Sequence, residues 1–203
     1  PKTKELHDIS VQGIIDRDYL SETEIEAYKG KSIYPLDVAE VENLYLLSDI
    51  QKIVAEQMAL ENISGILEEV KKFLFGEFEK EKNAQITAIC EREIQYKLSR
   101  FQRNGNGVDA LKTQYEDHVK SIEIEKMYNA VEEKVNKTIA DQDLDELLKI
   151  YNRKSLHQRV SHYFKLANNE YPQLVLRLKK KKKKTEIVNA LRNSFLPLSI
   201  FQM

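Results

Sequence analysis

Two aspartates one residue apart, Asp16 and Asp18, stand directly after an apolar, β-branched run at residues 9–15. Carboxylates are hard oxygen ligands, and Mg²⁺ typically takes one or two of them together with waters and phosphate oxygens. A solvated turn leaving a strand has the same spacing, so the pattern by itself supports both accounts. A second acidic group, Asp37, Glu40 and Glu42 followed by Asn43, comes just after another β-like run at residues 32–36. If the two runs are parallel neighbours, both groups reach one carboxyl edge of a sheet, where open α/β sheets bind ligands. Together they would suit a two-metal site, or a metal and a base. Equally, Glu40 and Glu42 suit the first turn of a helix, whose positive end favours acids. Glu40 and Asn43 can share one helical face at i, i+3.

The third group is basic. Lys179, Lys180, Lys181, Lys182, Lys183 and Lys184 are consecutive. With Arg153, Lys154 and Arg159 they could cradle a phosphate backbone, with strongly salt-dependent binding. The competing account is a solvated helix end, favoured by the negative pole of the helix. His7, His118, His157 and His162 are scattered at spacings poor for a metal and read as surface or packing residues. Cys90 is the single cysteine, in an apparent helix, and reads as an idle thiol. The chain carries no G-x-x-x-x-G-K-[ST] phosphate loop, so an ATPase would have to be another domain or partner. No Ser-His-Asp or Cys-His signature is visible.

The elements that would position these residues fall into two parts. The run at 9–15 reads as a buried strand. Ser21 and Glu24 form a capping box for a short helix ending at Lys29-Gly30. The run at 32–36 follows, so the order is strand, helix, strand, the α/β crossover unit. Two strands alone make a poor parallel sheet, and the expectation is that further strands precede Pro1. From Val41 onward the periodicity is helical. One stripe covers residues 44–58, a second runs from Ile63 to Leu74, and a third helix spans Ala84 to Phe101. Residues 103–108 form a loop. Asp109 is expected to cap a stretch running to Lys137. Further helices are expected at 141–151, 155–167, 171–182 and 185–195.

Of the 203 residues, 41% are hydrophobic and 32% charged, enough apolar material for one core and too much for a disordered chain. There is no apolar run long enough for a membrane span and no leader sequence, so a cytoplasmic protein without membrane contact is expected. The net charge of −1 hides a gradient. Residues 1–50 hold five basic and eleven acidic side chains, and residues 151–203 hold twelve and two. An acidic end suits a cation, and a basic end suits nucleic acid.

The stretch Gly13-Ile14-Ile15-Asp16-Arg17-Asp18-Tyr19, followed by Ile33-Tyr34-Pro35-Leu36-Asp37-Val38-Ala39-Glu40-Val41-Glu42-Asn43-Leu44, resembles a TOPRIM-type domain. More narrowly it resembles the TOPRIM-like family associated with ABC-type ATPases in bacterial anti-phage defence, related to the overcoming-lysogenization-defect (OLD) nucleases. The resemblance covers about residues 9–47. It implies an α/β class, a partial TOPRIM-like Rossmannoid sheet in residues 1–47, followed by a large, mostly α-helical region, 48–203, with a basic C-terminal segment. It implies Mg²⁺ or Mn²⁺ as cofactor, held by Asp16, Asp18 and Glu40, with Glu42 completing the catalytic acids. The family's first-strand glutamate has no counterpart here: Glu5 lies in no apolar run. The chain is therefore expected to be the C-terminal portion of a metal-dependent nuclease, inactive by itself. Its expected partners are DNA or tRNA and an ABC-type ATPase domain or subunit, and a homodimer is compatible with it. The alternative is a non-catalytic helical module in which Lys154 and the lysine run bind nucleic acid or a partner protein.

Overall fold

The computed structural model of the protein describes residues 12–179 and 183–194. Residues 9–11 of the expected first strand, Glu5, His7, Lys180, Lys181 and Lys182 lie outside the described residues.

Within them the chain opens on a parallel strand–helix–strand unit. Strand β1 is Gly13–Ile15, helix α1 is Glu22–Lys29 and strand β2 is Ile33–Pro35. The register pairs Gly13 with Ile33, Ile14 with Tyr34 and Ile15 with Pro35. Pro35 has no N–H to give, so it suits the last rung, and Leu36 N–H donates to the Ile15 carbonyl instead at 2.9 Å. The capping box forms as expected: Ser21 Oγ accepts from Glu24 N–H, and Glu24 Oε2 accepts from Ser21 N–H at 3.1 Å. Among the described residues this two-stranded ladder is the whole sheet.

The rest is helical. A 3₁₀ helix, Val41–Leu46, leads into α2, Ser48–Gln57. The two helices expected on either side of residues 75–83 are one element, α3, Ile63–Ser99, 37 residues long. The segment between them is rich in Glu and Lys, which are good helix formers, and its Phe75, Glu77 and Phe78 are buried against the body. The stretch expected to run unbroken from Asp109 to Lys137 is two helices, α4, Val108–Lys120, and α5, Ile124–Ala140. Gly107 rather than Asp109 occupies the cap of α4, at φ +95°, a conformation that favours glycine. Helix α6, Leu144–Ile150, is capped by Asp143, whose side chain accepts from Glu146 N–H at 3.0 Å. Helix α7, Leu156–Arg159, a 3₁₀ turn at Ser161–Phe164, α8, Glu170–Lys179, and α9, Lys184–Ser194, complete the order.

One apolar core runs from Leu36 to Ala190 and so joins the strand end to the helices. Phe78 of α3 meets Tyr151 edge-on, with ring centroids 5.1 Å apart, and both are fully enclosed. Buried Tyr171 donates its hydroxyl to the Tyr45 carbonyl at 2.7 Å. Burial at this density makes the helical body rigid enough to hold the strand end in place. None of the helices among the described residues is long and apolar enough to cross a membrane.

Candidate functional site

The parallel register places the ends of β1 and β2 side by side, and both acid groups leave from that edge. Asp16 follows β1 directly, and its Oδ1 accepts the Val41 N–H at 3.1 Å. Asp18 adopts the left-handed region at φ +46°, which Asp tolerates better than most residues. Its N–H donates to the Ala39 carbonyl at 2.8 Å, and its Oδ1 accepts from Asn152 Nδ2 at 3.1 Å. Each aspartate thus spends one oxygen on the fold, and its Oδ2 has no protein partner among the described residues.

Glu40 lies behind them. It is 2% exposed, and its Oε2 is enclosed with no hydrogen bond. Lys154 Nζ stands 3.8 Å away on a largely exposed side chain. Burial pushes the Glu40 carboxyl above its ordinary range; the charges of Asp18, Asp16 and Glu42 push the same way, and Lys154 partly opposes them. An enclosed carboxylate oxygen without a donor is costly, and three more acids around it make a negative pocket that a cation would relieve.

The other nearby residues are committed to the scaffold. Asp37 pairs with Arg17 and Lys149, each at 3.5 Å. Asn43 donates both amide hydrogens to carbonyls at the end of α6, Leu148 at 3.2 Å and Tyr151 at 2.9 Å. It therefore braces the turn below Glu40 and does not share a ligand face with it. Glu42 is half-buried in the first turn of the 3₁₀ helix. Its charge also acts on His157, which is buried against the Tyr45 ring and held below its ordinary pKa chiefly by that burial.

A cleft of about 720 Å³ opens at this edge, and Ile14, Asp16, Asp18, Tyr19, Arg92 and Asn152 are among its walls. Three of these escape a reading of the local sequence. Tyr19 donates to Gln85 Oε1 at 3.1 Å, and Gln85 Oε1 also accepts the Asn152 N–H at 3.3 Å. Arg92 of α3 pairs with buried Glu24 at 2.7 Å, while its Nε is enclosed without a partner. These contacts span 66 to 68 residues, and no local motif signals a contact at such a separation.

Among the described residues no three acids, histidines or cysteines are gathered into a cage for an ion. An ion at this edge would rest on one or two carboxylates and complete its shell with water and phosphate oxygens, as Mg²⁺ commonly does. The donor set, all carboxylate oxygen, fits a hard divalent cation and not a soft one.

Among the described residues the basic side chains do not form one free surface. Arg153 pairs with Glu81, and Arg159 with Glu77. Lys183 turns to Glu186 at 2.7 Å and Glu56 at 3.9 Å. Lys154 and Lys184 are exposed. Comparison with protein-family models, with curated proteins and with solved structures finds no match.

Proposed function

We propose that this chain is the downstream portion of a Mg²⁺- or Mn²⁺-dependent TOPRIM-type nuclease, hydrolysing phosphodiesters of DNA or RNA beside an ABC-type ATPase in phage defence. The observation that carries the reading is the enclosed, donor-less Glu40 behind Asp16 and Asp18 at one sheet edge, with a cleft in front. In this reading Asp16 and Asp18 offer their free oxygens to the ion, and Glu40 and Glu42 hold a second ion or orient the first. When bound, such ions lower the pKa of a water and offset charge on the phosphate. Lys154, exposed beside Glu40, meets a substrate phosphate as a point charge. Asn152 and the Val41 N–H fix the aspartates, so the ligand oxygens are oriented before substrate arrives.

One observation favours the non-catalytic alternative, a helical interaction module: both aspartates already serve the fold through Oδ1. The two readings separate on cleavage of plasmid DNA and total tRNA with Mg²⁺ or Mn²⁺. The assay uses the full protein to which this chain belongs, with and without the ATPase. Asp16→Asn keeps the acceptor for Val41 and removes the charge, so the fold survives. Metal-dependent cleavage lost in Asp16→Asn is the expected result. Cleavage at the wild-type rate in that variant, or none by the wild type in any combination, overturns the nuclease.

A further inference from the structure

Helix α4 is amphipathic, yet none of its residues is buried. Its inner face meets the end of α3 through His118 and the loop that follows α3 through Ala110 and Gln114, all three half-buried. Gln114 Oε1 accepts the Asn104 N–H at 2.7 Å, and His118 Nε2 lies 2.9 Å from the Lys97 carbonyl. Beside that face runs a second one, of Val108, Leu111, Tyr115 and Val119, exposed by 76, 47, 51 and 41%. At about 100° per residue these four fall within an arc of about 80°. A contiguous apolar stripe of this kind marks an interface more often than scattered surface residues do. Among the described residues the Phe101 ring meets Tyr115 edge-on at 5.6 Å, and the rest of the stripe stays open.

The charges beside the stripe indicate what covers the open part. Lys112 and Glu116 flank it on the same side, and within one helix they approach only to 3.9 Å. Laid against a second copy of itself in the opposite direction, the helix is its own complement. Val108 comes opposite Val119 of the second copy, and Leu111 opposite its Tyr115. Lys112 then comes opposite its Glu116. All three pairings fall in one register to within a residue, about a two-fold axis near residues 113–114. Each contact occurs twice, which is the signature of an isologous interface. A strongly acidic or basic partner would instead leave one of the two flanking charges opposed by its like. We infer that the outer face of α4 is a self-association surface on which two copies of this chain pair antiparallel. The inference is independent of the cleavage chemistry. One short helix per protomer covers less than the roughly 800 Å² per partner of a standard interface, so a micromolar association is expected.

Sedimentation equilibrium up to roughly 200 μM, far above a micromolar dissociation constant, tests it. The expected mass approaches twice the 23.7 kDa of the chain. Leu111→Asp/Tyr115→Asp should return the monomer mass with unchanged far-ultraviolet circular dichroism, since neither residue is buried. Lys112→Glu and Glu116→Lys should each weaken association about tenfold, through two new like-charge contacts per dimer. The combined swap should restore it to within about threefold of wild type, because opposite charges again face one another. A monomer at every concentration overturns the proposal. So do a dimer that survives the double aspartate variant, assemblies larger than a dimer, and an association indifferent to charge reversal.

Discussion

Asn43 is 1% exposed and braces the turn that carries Glu40, so its replacement tests how the site is held. Its amide donates to the carbonyls of Leu148 and Tyr151. The last carbonyls of a helix have no partner within it. Leu148 keeps a second donor, Ala39 N–H at 2.8 Å. Tyr151 depends on Asn43 among the described residues. Asn43→Ala therefore loses one ordinary hydrogen bond, about 1 kcal/mol, and strands one carbonyl, about 1–3 kcal/mol. Against this, Asn43 Oδ1 is itself enclosed without a donor, and removing it returns part of that loss. The net expectation is about 2 kcal/mol, or roughly 4–8 °C in melting temperature at this chain length. Asn43→Asp keeps the shape but turns an acceptor-only group toward two carbonyls. It should cost more, about 3–5 kcal/mol, as a buried charge without a counter-charge. Equilibrium urea unfolding at constant m-value measures both. If packing alone mattered, Ala would be the worse substitution. Asp equal to or better than Ala refutes the hydrogen-bond account.

Two further outcomes follow from the buried acids. Glu40 has its carboxyl pKa raised in the folded state, so the unfolded chain releases that proton first as pH climbs past the ordinary 4.5. Its charge therefore costs stability at neutral pH. Glu40→Gln should raise the urea midpoint at pH 7 and reduce the rise in wild-type melting temperature on adding Mn²⁺; a lower midpoint at pH 7 would contradict this. Glu77 behaves oppositely: hydrogen bonds from Arg159 first, then Lys80, pull it down to about 2. Its contribution is present above the ordinary 4.5 and fades as pH falls toward 2. Glu77→Gln should flatten the acid limb of stability between those values, measured by urea titrations across pH, and a limb as steep as in the wild type would show that Arg159 contributes nothing there.

Much of the local architecture is written in short stretches of sequence. A β-branched run ending at Ile15, a β-like run at residues 32–36, a capping box at Ser21 and Glu24, and a stop at Lys29-Gly30 specify the crossover unit. Each signal acts within a few residues, and the periods of 2 and 3.6 carry it. The position of Asp16 and Asp18 at a strand end is legible for the same reason. Helix boundaries are less so. The Glu and Lys of residues 75–83 permit a helix, but the continuity of α3 is secured by Phe75 and Phe78 being buried by partners remote in sequence. The break at residues 121–123 likewise seats Ile122 in the core.

What the sequence by itself determined is the chemistry on offer: hard oxygen ligands at a strand end and a lysine-rich tail. The tertiary structure alone decided how these are used. It enclosed Glu40 behind the two aspartates, tied Asp18 to Asn152 across 134 residues, and brought Arg92 to the same cleft. It also turned Lys183 toward Glu186 and Glu56, and left most of the stripe on α4 exposed. The reason is physical. Residue type and local period act through backbone geometry over a few residues. Burial, orphaned polar atoms and long-range hydrogen bonds exist only once packing against distant segments removes water from them.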